Sequence, residues 1–322
     1  MKKNLDSTFK FLHPDKVIVD NITLTYAPNN NSDKEHIHKA VGNEGWLKTW
    51  AKAKPLKGGG VKYLNTSANY HTKVELLFPD DTFVKNNTAL LEMNPRNPAT
   101  PFLRLDYNPE KISLDALTTC LNVIMPQSGI NPVFDHGNVT RLDIAIDIKQ
   151  VFPYQIILDY FKTRFRTVYL ESGMVGSIYI GKDVGETQLY MYDKVKEMQD
   201  KKYQIKPMSD YQFPTDGLTR IEFRHRPKGL TKFADLFHLP NLFEPMLIVG
   251  TPPQVKGDIG FNVMRDLCVH KGLRHTVTKF PKAERLMFAD KLGECGQADF
   301  LDIHQLWSTL PNALLKVYPH GQ

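Results

Sequence analysis

Four short segments of the chain set acids, phenols and cations at alternate positions. In Arg141-Leu-Asp-Ile-Ala-Ile-Asp-Ile148 a β-strand would send Leu142, Ile144, Ile146 and Ile148 to one face. Arg141, Asp143, Ala145 and Asp147 would share the other. Gln188-Leu-Tyr-Met-Tyr-Asp-Lys194 sorts in the same way, gathering Gln188, Tyr190, Tyr192 and Lys194 opposite Leu189 and Met191. Thr219-Arg-Ile-Glu-Phe-Arg-His-Arg226 sets Arg220, Glu222, Arg224 and Arg226 opposite Ile221 and Phe223. Ser177-Ile-Tyr-Ile-Gly181 adds Ser177 and Tyr179 to a polar face.

Two carboxylates one alanine apart on a strand face repel each other unless a positive charge lies between them. A divalent ion with oxygen ligands, Mg or Mn, would supply that charge, and Asp143, Asp147 and Glu222 are its candidate ligands. Tyr192, two residues before Lys194, suits attack on a phosphodiester. A phenol with an unperturbed pKa of about 10 is mostly protonated at neutral pH. A metal polarising the phosphate, with Lys194 or an arginine offsetting the phenolate, would ease that attack. The product would be a phosphotyrosine link and a free hydroxyl end. Tyr190 lies on the same face, and pattern alone does not choose between the two. Plainer roles stand beside these. Asp143 and Arg141 could form an exposed ion pair, Tyr192 could be an amphipathic sheet residue, and Glu222 could bridge Arg220 and Arg224.

The elements that carry these residues begin near residue 100. Phe102–Tyr107 alternates as a strand and stops at Asn108-Pro109. Ser113 then caps a helix with Leu114, Leu117, Leu121 and Ile124 at helical spacing. After the strand at 139–148, Pro153 opens an expected helix running to about Val168, whose end is made basic by Lys162, Arg164 and Arg166. Strands are expected at 175–181 and 187–194, a polar loop up to Gly217, a strand at 218–226 and a helix near 230–237. This order predicts an α+β fold: an antiparallel-rich sheet with helices on one face and the metal and tyrosine site on the other. Upstream, Val17–Tyr26, Val74–Phe78 and Ala89–Met93 read as strands, and 27–45 as a loop. Pro240–Gly260 reads as a linker, followed by a small helical C-terminal module over 261–320.

The chain has 322 residues, with Lys plus Arg 41 against Asp plus Glu 35, a formal charge of +6. That excess suits nucleic acid without requiring it. No acid occurs from Gly45 to Lys73, where Lys48, Lys52, Lys54, Lys57 and Lys62 alternate with Trp46, Trp50, Tyr63 and Tyr70. Such a stretch can neutralise phosphates and stack bases, or can be a solvated loop with two tryptophans in the core. Lys52, Lys54 and Lys57, with Arg141, Arg220 and Arg224, are the candidate DNA contacts. No apolar run of about 18 residues and no secretory leader pattern is seen, so no membrane partner is expected. Three cysteines far apart fit free thiols in a reducing, cytoplasmic setting. His36-Ile-His38 reads as surface, and Gly58-Gly-Gly60 lacks the spacing of a phosphate-binding loop.

Arg141–Asp147, Gly176–Gly181, Leu189–Lys194 and Arg220–Arg224 follow one another in an order that resembles the trans-acting rolling-circle replication initiators of Gram-positive plasmids, filamentous phages and related mobile elements. The resemblance spans about residues 100–240. It implies a strand transferase that nicks a supercoiled double-strand origin, becomes linked through tyrosine to the 5′ phosphate, and leaves a 3′ hydroxyl for priming. In that family's motif Tyr192 occupies the tyrosine position, and Asp143, Asp147 and Glu222 occupy acidic positions around the metal. It also implies origin DNA as the partner, recruitment of a host helicase, and the option of a homodimer. The expected division is 1–100 as a candidate DNA-recognition part, 101–240 as the nicking domain, and 241–322 as linker and helical module. Two other functions remain in view: a non-catalytic nucleic-acid-binding module, and a metal-dependent nuclease that uses water.

Overall fold

The computed structural model describes residues 16–28, 31–42, 60–64, 68–78, 87–125, 129–162, 164–183, 185–203, 217–294 and 302–318. Its strands are β1 (Ile18–Tyr26), β2 (Gly60–Leu64), β3 (Tyr70–Phe78), β4 (Asn87–Pro95), β5 (Leu103–Tyr107) and β6 (Asn138–Lys149). They continue with β7 (Ile156–Asp159), β8 (Phe165–Tyr169), β9 (Val175–Ile180), β10 (Thr187–Asp193), β11 (Leu218–His225) and β12 (Leu247–Gly250). Strands and helices are mixed, and every pairing with a described register is antiparallel, as an α+β fold with a large antiparallel sheet requires.

The chain forms two compact units that interleave in sequence. The first holds the described parts of Met1–Val17, Ala145–Arg224 and Pro240–Thr309; the second holds those of Ile18–Ile144, His225–Leu239 and Leu310–Gln322. The last helix, Leu310–Leu315, belongs to the second unit.

In the second unit the strand order is β2-β3-β4-β5-β1, with the first part of β6 beyond β1. Alternation buries Ile22, Leu24, Val74, Leu76, Leu91, Met93, Leu103 and Leu105 completely. The helix Leu114–Ile124 starts where Ser113 accepts a hydrogen bond from the Ala116 amide at 3.2 Å, and it buries Leu117, Cys120, Leu121 and Ile124. Loop 27–45 was expected, yet Asn31–Gly42 is helical, with Ile37 buried and His36 half-buried.

In the first unit the second part of β6 is followed by β11-β10-β9-β8, and β7 pairs with β12 in a two-stranded sheet. The expected helix from Pro153 is instead a 3₁₀ turn at Pro153–Gln155 followed by β7 and β8. All four residues of β7 are buried, and an apolar run that short fits a covered strand as well as a helix. Its partner β12 lies inside the expected linker. The polar stretch after Asp193 opens with a helix, Lys194–Tyr203, and the stretch near 230–237 holds a 3₁₀ helix, Ala234–His238.

The helix Ile259–Lys271 is capped by Asp258, which accepts from the Phe261 amide at 2.9 Å; it packs on β7, β8 and β9 and buries Phe261, Met264 and Cys268. It stops at Gly272, where φ is 76°. A Cβ at Gly272 would meet Asp159 Oδ1 and Phe165 Cζ, each at 2.8 Å, so only glycine lets the chain turn this close to β7 and β8.

Candidate functional site

β9 and β10 set the tyrosines. Their register pairs Tyr190 with Tyr179 and Tyr192 with Ser177, while Leu189, Met191, Ile178 and Ile180 are fully buried on the other face. The chain leaves β10 straight into the helix Lys194–Tyr203, because Asp193 accepts from the Lys196 amide at 2.9 Å and caps it. Tyr-Asp-Lys is thus a strand end, a cap and a first helical residue. The turn brings the Lys194 ammonium to 5.7 Å from the centre of the Tyr192 ring, and Lys194 also pairs with Glu197.

The two tyrosines differ in what holds their hydroxyls. Tyr190 Oη donates to Gln188 Oε1 and accepts from Arg224 Nη1 at 2.8 Å. Gln188 is itself fixed by donating to Asp183 at 2.8 Å, and the Arg224 guanidinium also lies 4.7 Å from the Tyr190 ring centre. Tyr192 Oη donates to Glu222 Oε2 at 3.4 Å, the outer limit of a hydrogen bond. Glu222 lies on β11 and is only 7% exposed, and its other oxygen stands 3.4 Å from Arg224 Nη2. Two further tyrosines are poor nucleophiles: burial pushes the Tyr160 phenol up to about 12 and raises that of the fully buried Tyr107 as well.

The polar strand faces are largely covered. Arg220 is buried and grips Asp147 with a two-pronged contact, Nε to Oδ1 and Nη2 to Oδ2, both 2.7 Å. In the second unit Arg141 Nε donates to Asp143 Oδ1 at 2.9 Å, and Asp143 is 1% exposed. Each candidate metal ligand therefore meets an arginine. Among the described residues no group of three or more His, Cys, Asp and Glu side chains is gathered to hold a metal ion. The residues present do not fit a Mg or Mn centre built from Asp143, Asp147 and Glu222 together.

Of the expected DNA contacts, Arg220 on Asp147 and Arg224 against Tyr190 belong to the first unit and Arg141 to the second. Lys52, Lys54 and Lys57 lie outside the described residues. Arg166, expected only as part of a basic helix end, lies on β8 with its guanidinium 4.3 Å from the Tyr179 ring centre. The clamp by Gln188 was also missed, although its alternation with Tyr190 was visible. Cys120 and Cys268 are buried free thiols, both pushed up to about 12 by burial, and Cys295 lies outside the described residues. Among the described residues no helix is long and apolar enough to cross a membrane.

No family model and no curated protein matches the chain. Among solved structures it is similar to the rolling circle replication initiator protein from Geobacillus stearothermophilus, at a TM-score of 0.39 and 13% identity, over 87% of this chain and 96% of that one. A likeness that distant assigns no residue a role.

Proposed function

We propose that this protein is a DNA strand transferase of the rolling-circle initiator kind, nicking origin DNA with Tyr192 as nucleophile. The observation that carries the reading is the meeting of the Tyr192 hydroxyl with Glu222 while Lys194 lies over the same ring. In the proposed step Tyr192 Oη bonds to phosphorus and passes its proton to the Glu222 carboxylate. The P–O3′ bond breaks, O3′ leaves with the electron pair, and it takes a proton from solvent. A 5′-phosphotyrosine and a 3′ hydroxyl result. Lys194 stabilises the phenolate, and Arg224 stands ready for the phosphate. Tyr190, held by Gln188 and Arg224, positions that arginine.

Origin DNA is the partner this reading requires; a host helicase and a second copy of the chain belong to it without an assigned surface. A second reading, a non-catalytic nucleic-acid-binding module, is favoured by the run of Arg166, Tyr179, Tyr190 and Arg224, whose rings and guanidinium planes can stack unpaired bases.

The test is incubation of the full chain with supercoiled DNA carrying its own element's origin, followed by a denaturing gel for a protein–DNA adduct. We expect an adduct from the wild type and from Tyr190→Phe, and none from Tyr192→Phe. An adduct lost only in Tyr190→Phe would move the nucleophile, and binding without cleavage would leave the binding module. Parallel reactions with Mg, Mn and a chelator decide whether a cation displaces the arginines from the acids. Metal-dependent cleavage without an adduct would favour the water-using nuclease.

A further inference from the structure

The first unit also holds a cavity of about 330 Å³, lined by Phe165, Thr167, Tyr169, His270, Lys271 and His275. It lies under β8, the last strand of the order β6-β11-β10-β9-β8, against the end of the helix Ile259–Lys271. Register separates it from the tyrosine face. Phe165 and Thr167 pair with the buried Ile180 and Ile178, whereas Arg166 pairs with Tyr179. The cavity thus opens on the helix-covered side of an edge strand, and the arginine–tyrosine face lies on the other.

Its walls are of two kinds. Phe165 and Tyr169 offer ring faces; Tyr169 is exposed, and its ring lies 5.3 Å from that of His270. Lys271 supplies a cation, and Lys279 adds another at the rim, its ammonium 3.1 Å from His275 Nε2. His270 Nδ1 is buried without a hydrogen-bond partner among the described residues, and burial holds its pKa below the ordinary imidazole value. An uncharged ring that can hydrogen-bond, flanked by aromatic faces and lysines, matches a base joined to its phosphate better than it matches a free anion. The charge of Asp266 acts on His270 against that of Lys271, and Arg274 is engaged with the buried Asp159.

We propose that this cavity seats one unpaired nucleotide of the strand handled at Tyr192, with the strand wrapping the β8 edge. The inference rests on the nicking reading, but binding can be measured apart from it. Across the outer face Arg224, Tyr190, Tyr179 and Arg166 form an unbroken series: the two tyrosine rings meet edge to face at 5.1 Å, with a guanidinium against each. From β10 to β8 is two strand spacings, about 10 Å, a distance that a few unstacked nucleotides span. The volume lies at the lower end of small-ligand sites, room for one base and not for a duplex.

The experiment measures the affinity of the full chain for oligothymidylate by fluorescence anisotropy, with ultraviolet cross-linking and mass spectrometry to locate the contact. Tyr169 and Lys271 are both exposed, so changing them leaves the core untouched. Tyr169→Ala with Lys271→Ala should weaken oligothymidylate binding roughly tenfold, and Tyr169→Phe, which keeps the ring, should restore most of it. Cross-links should map to β8 or residues 270–275. Unchanged affinity, or cross-links only on the tyrosine face, overturns the proposal. Adduct formation is read on the same variants with saturating DNA. An adduct that persists while affinity is unchanged sinks the cavity and keeps the nicking reading. Weakened binding in a protein whose wild type forms no adduct keeps the cavity and sinks the nicking reading.

Discussion

Both units place an arginine among acids on a strand face, and in only one of the two does a tyrosine hydroxyl meet one of those acids. In the second unit Arg104 on β5 pairs with Glu92, its register partner on β4, and with Asp106 two residues along its own strand. Both Asp106 oxygens also accept hydrogen bonds, from Asn21 at 3.0 Å and Thr23 at 2.9 Å. Tyr70 lies close by, but its hydroxyl donates to the Pro101 carbonyl at 3.1 Å. Burial, with the charge of Glu92, raises its pKa against the lowering pull of Arg104. In the first unit the phenol of Tyr192 faces a carboxylate directly, with a lysine over its ring. A cluster of charges locks a sheet when short-range donors take up its oxygens. On the proposed function it becomes a reaction centre where the nucleophile's hydroxyl meets one of them.

The largest effect expected from that contrast is on stability. Arg104→Met strands Glu92, whose side chain is 4% exposed. Leaving one partner of a buried pair alone costs about 3 kcal/mol, to be read as a lower urea midpoint at unchanged slope. Adduct formation per folded molecule should stay at the wild-type rate. A neutral Arg104→Met would mean that the second network is not structural, and the contrast would fall.

Next in size, and opposite in kind, is Glu222→Gln. The amide keeps the shape and still accepts the Tyr192 hydrogen bond, but it cannot take the proton. A general base contributes about 10²-fold or more, so adduct formation in single-turnover assays should slow by about that factor. Stability should change by under about 1 kcal/mol, since the amide keeps the size of the carboxylate and an accepting oxygen. An unchanged rate would return Glu222 to the plain role of bridging arginines.

Much of this contrast was legible in the sequence, and the reasons differ from residue to residue. Period-two alternation exposed β6, β9, β10 and β11, because each buries one face completely. It put Tyr190 and Tyr192 on one strand face, and Glu222 with Arg220 and Arg224 on another, but it also placed Lys194 on the first strand, whereas Lys194 opens a helix. It did not show that Arg220 reaches Asp147, since that pairing depends on which strands become neighbours. The same limit hid β7 and β12, two four-residue strands joined from distant parts of the chain. Glu92, Arg104 and Asp106 lie on strands that alternation does reveal, at Ala89–Met93 and Phe102–Tyr107, but the register that makes Glu92 and Arg104 partners depends on which strands become neighbours. The helix Lys194–Tyr203 was hidden because it has no apolar stripe; its Lys196–Asp200 pair at 2.9 Å and the Asp193 cap favour it instead.

The smallest effect, and the finest division, lies within the first unit itself, between Tyr190 and Tyr192. The two share a strand face and differ by two residues, so composition and spacing cannot rank them. The proposed function ranks them by their partners: the Tyr190 hydroxyl contacts Gln188 and Arg224, that of Tyr192 the Glu222 carboxylate. Tyr190→Phe removes a hydrogen bond to the guanidinium but keeps the ring that Arg224 and Tyr179 lean on. A bond to a charged group contributes about 1.5 kcal/mol, so less precise placement of Arg224 should slow adduct formation by no more than about tenfold. The loss should appear as weaker DNA binding as well as slower transfer, because the arginine's position is what changes. Tyr190→Ala, which also removes the ring, should do worse than Tyr190→Phe in both readouts. If Tyr190→Phe instead abolished the adduct while Tyr192→Phe retained it, the clamped hydroxyl would be the reactive one. Arg224 would then act directly on the reacting oxygen, and not merely as the cation that Tyr190 positions.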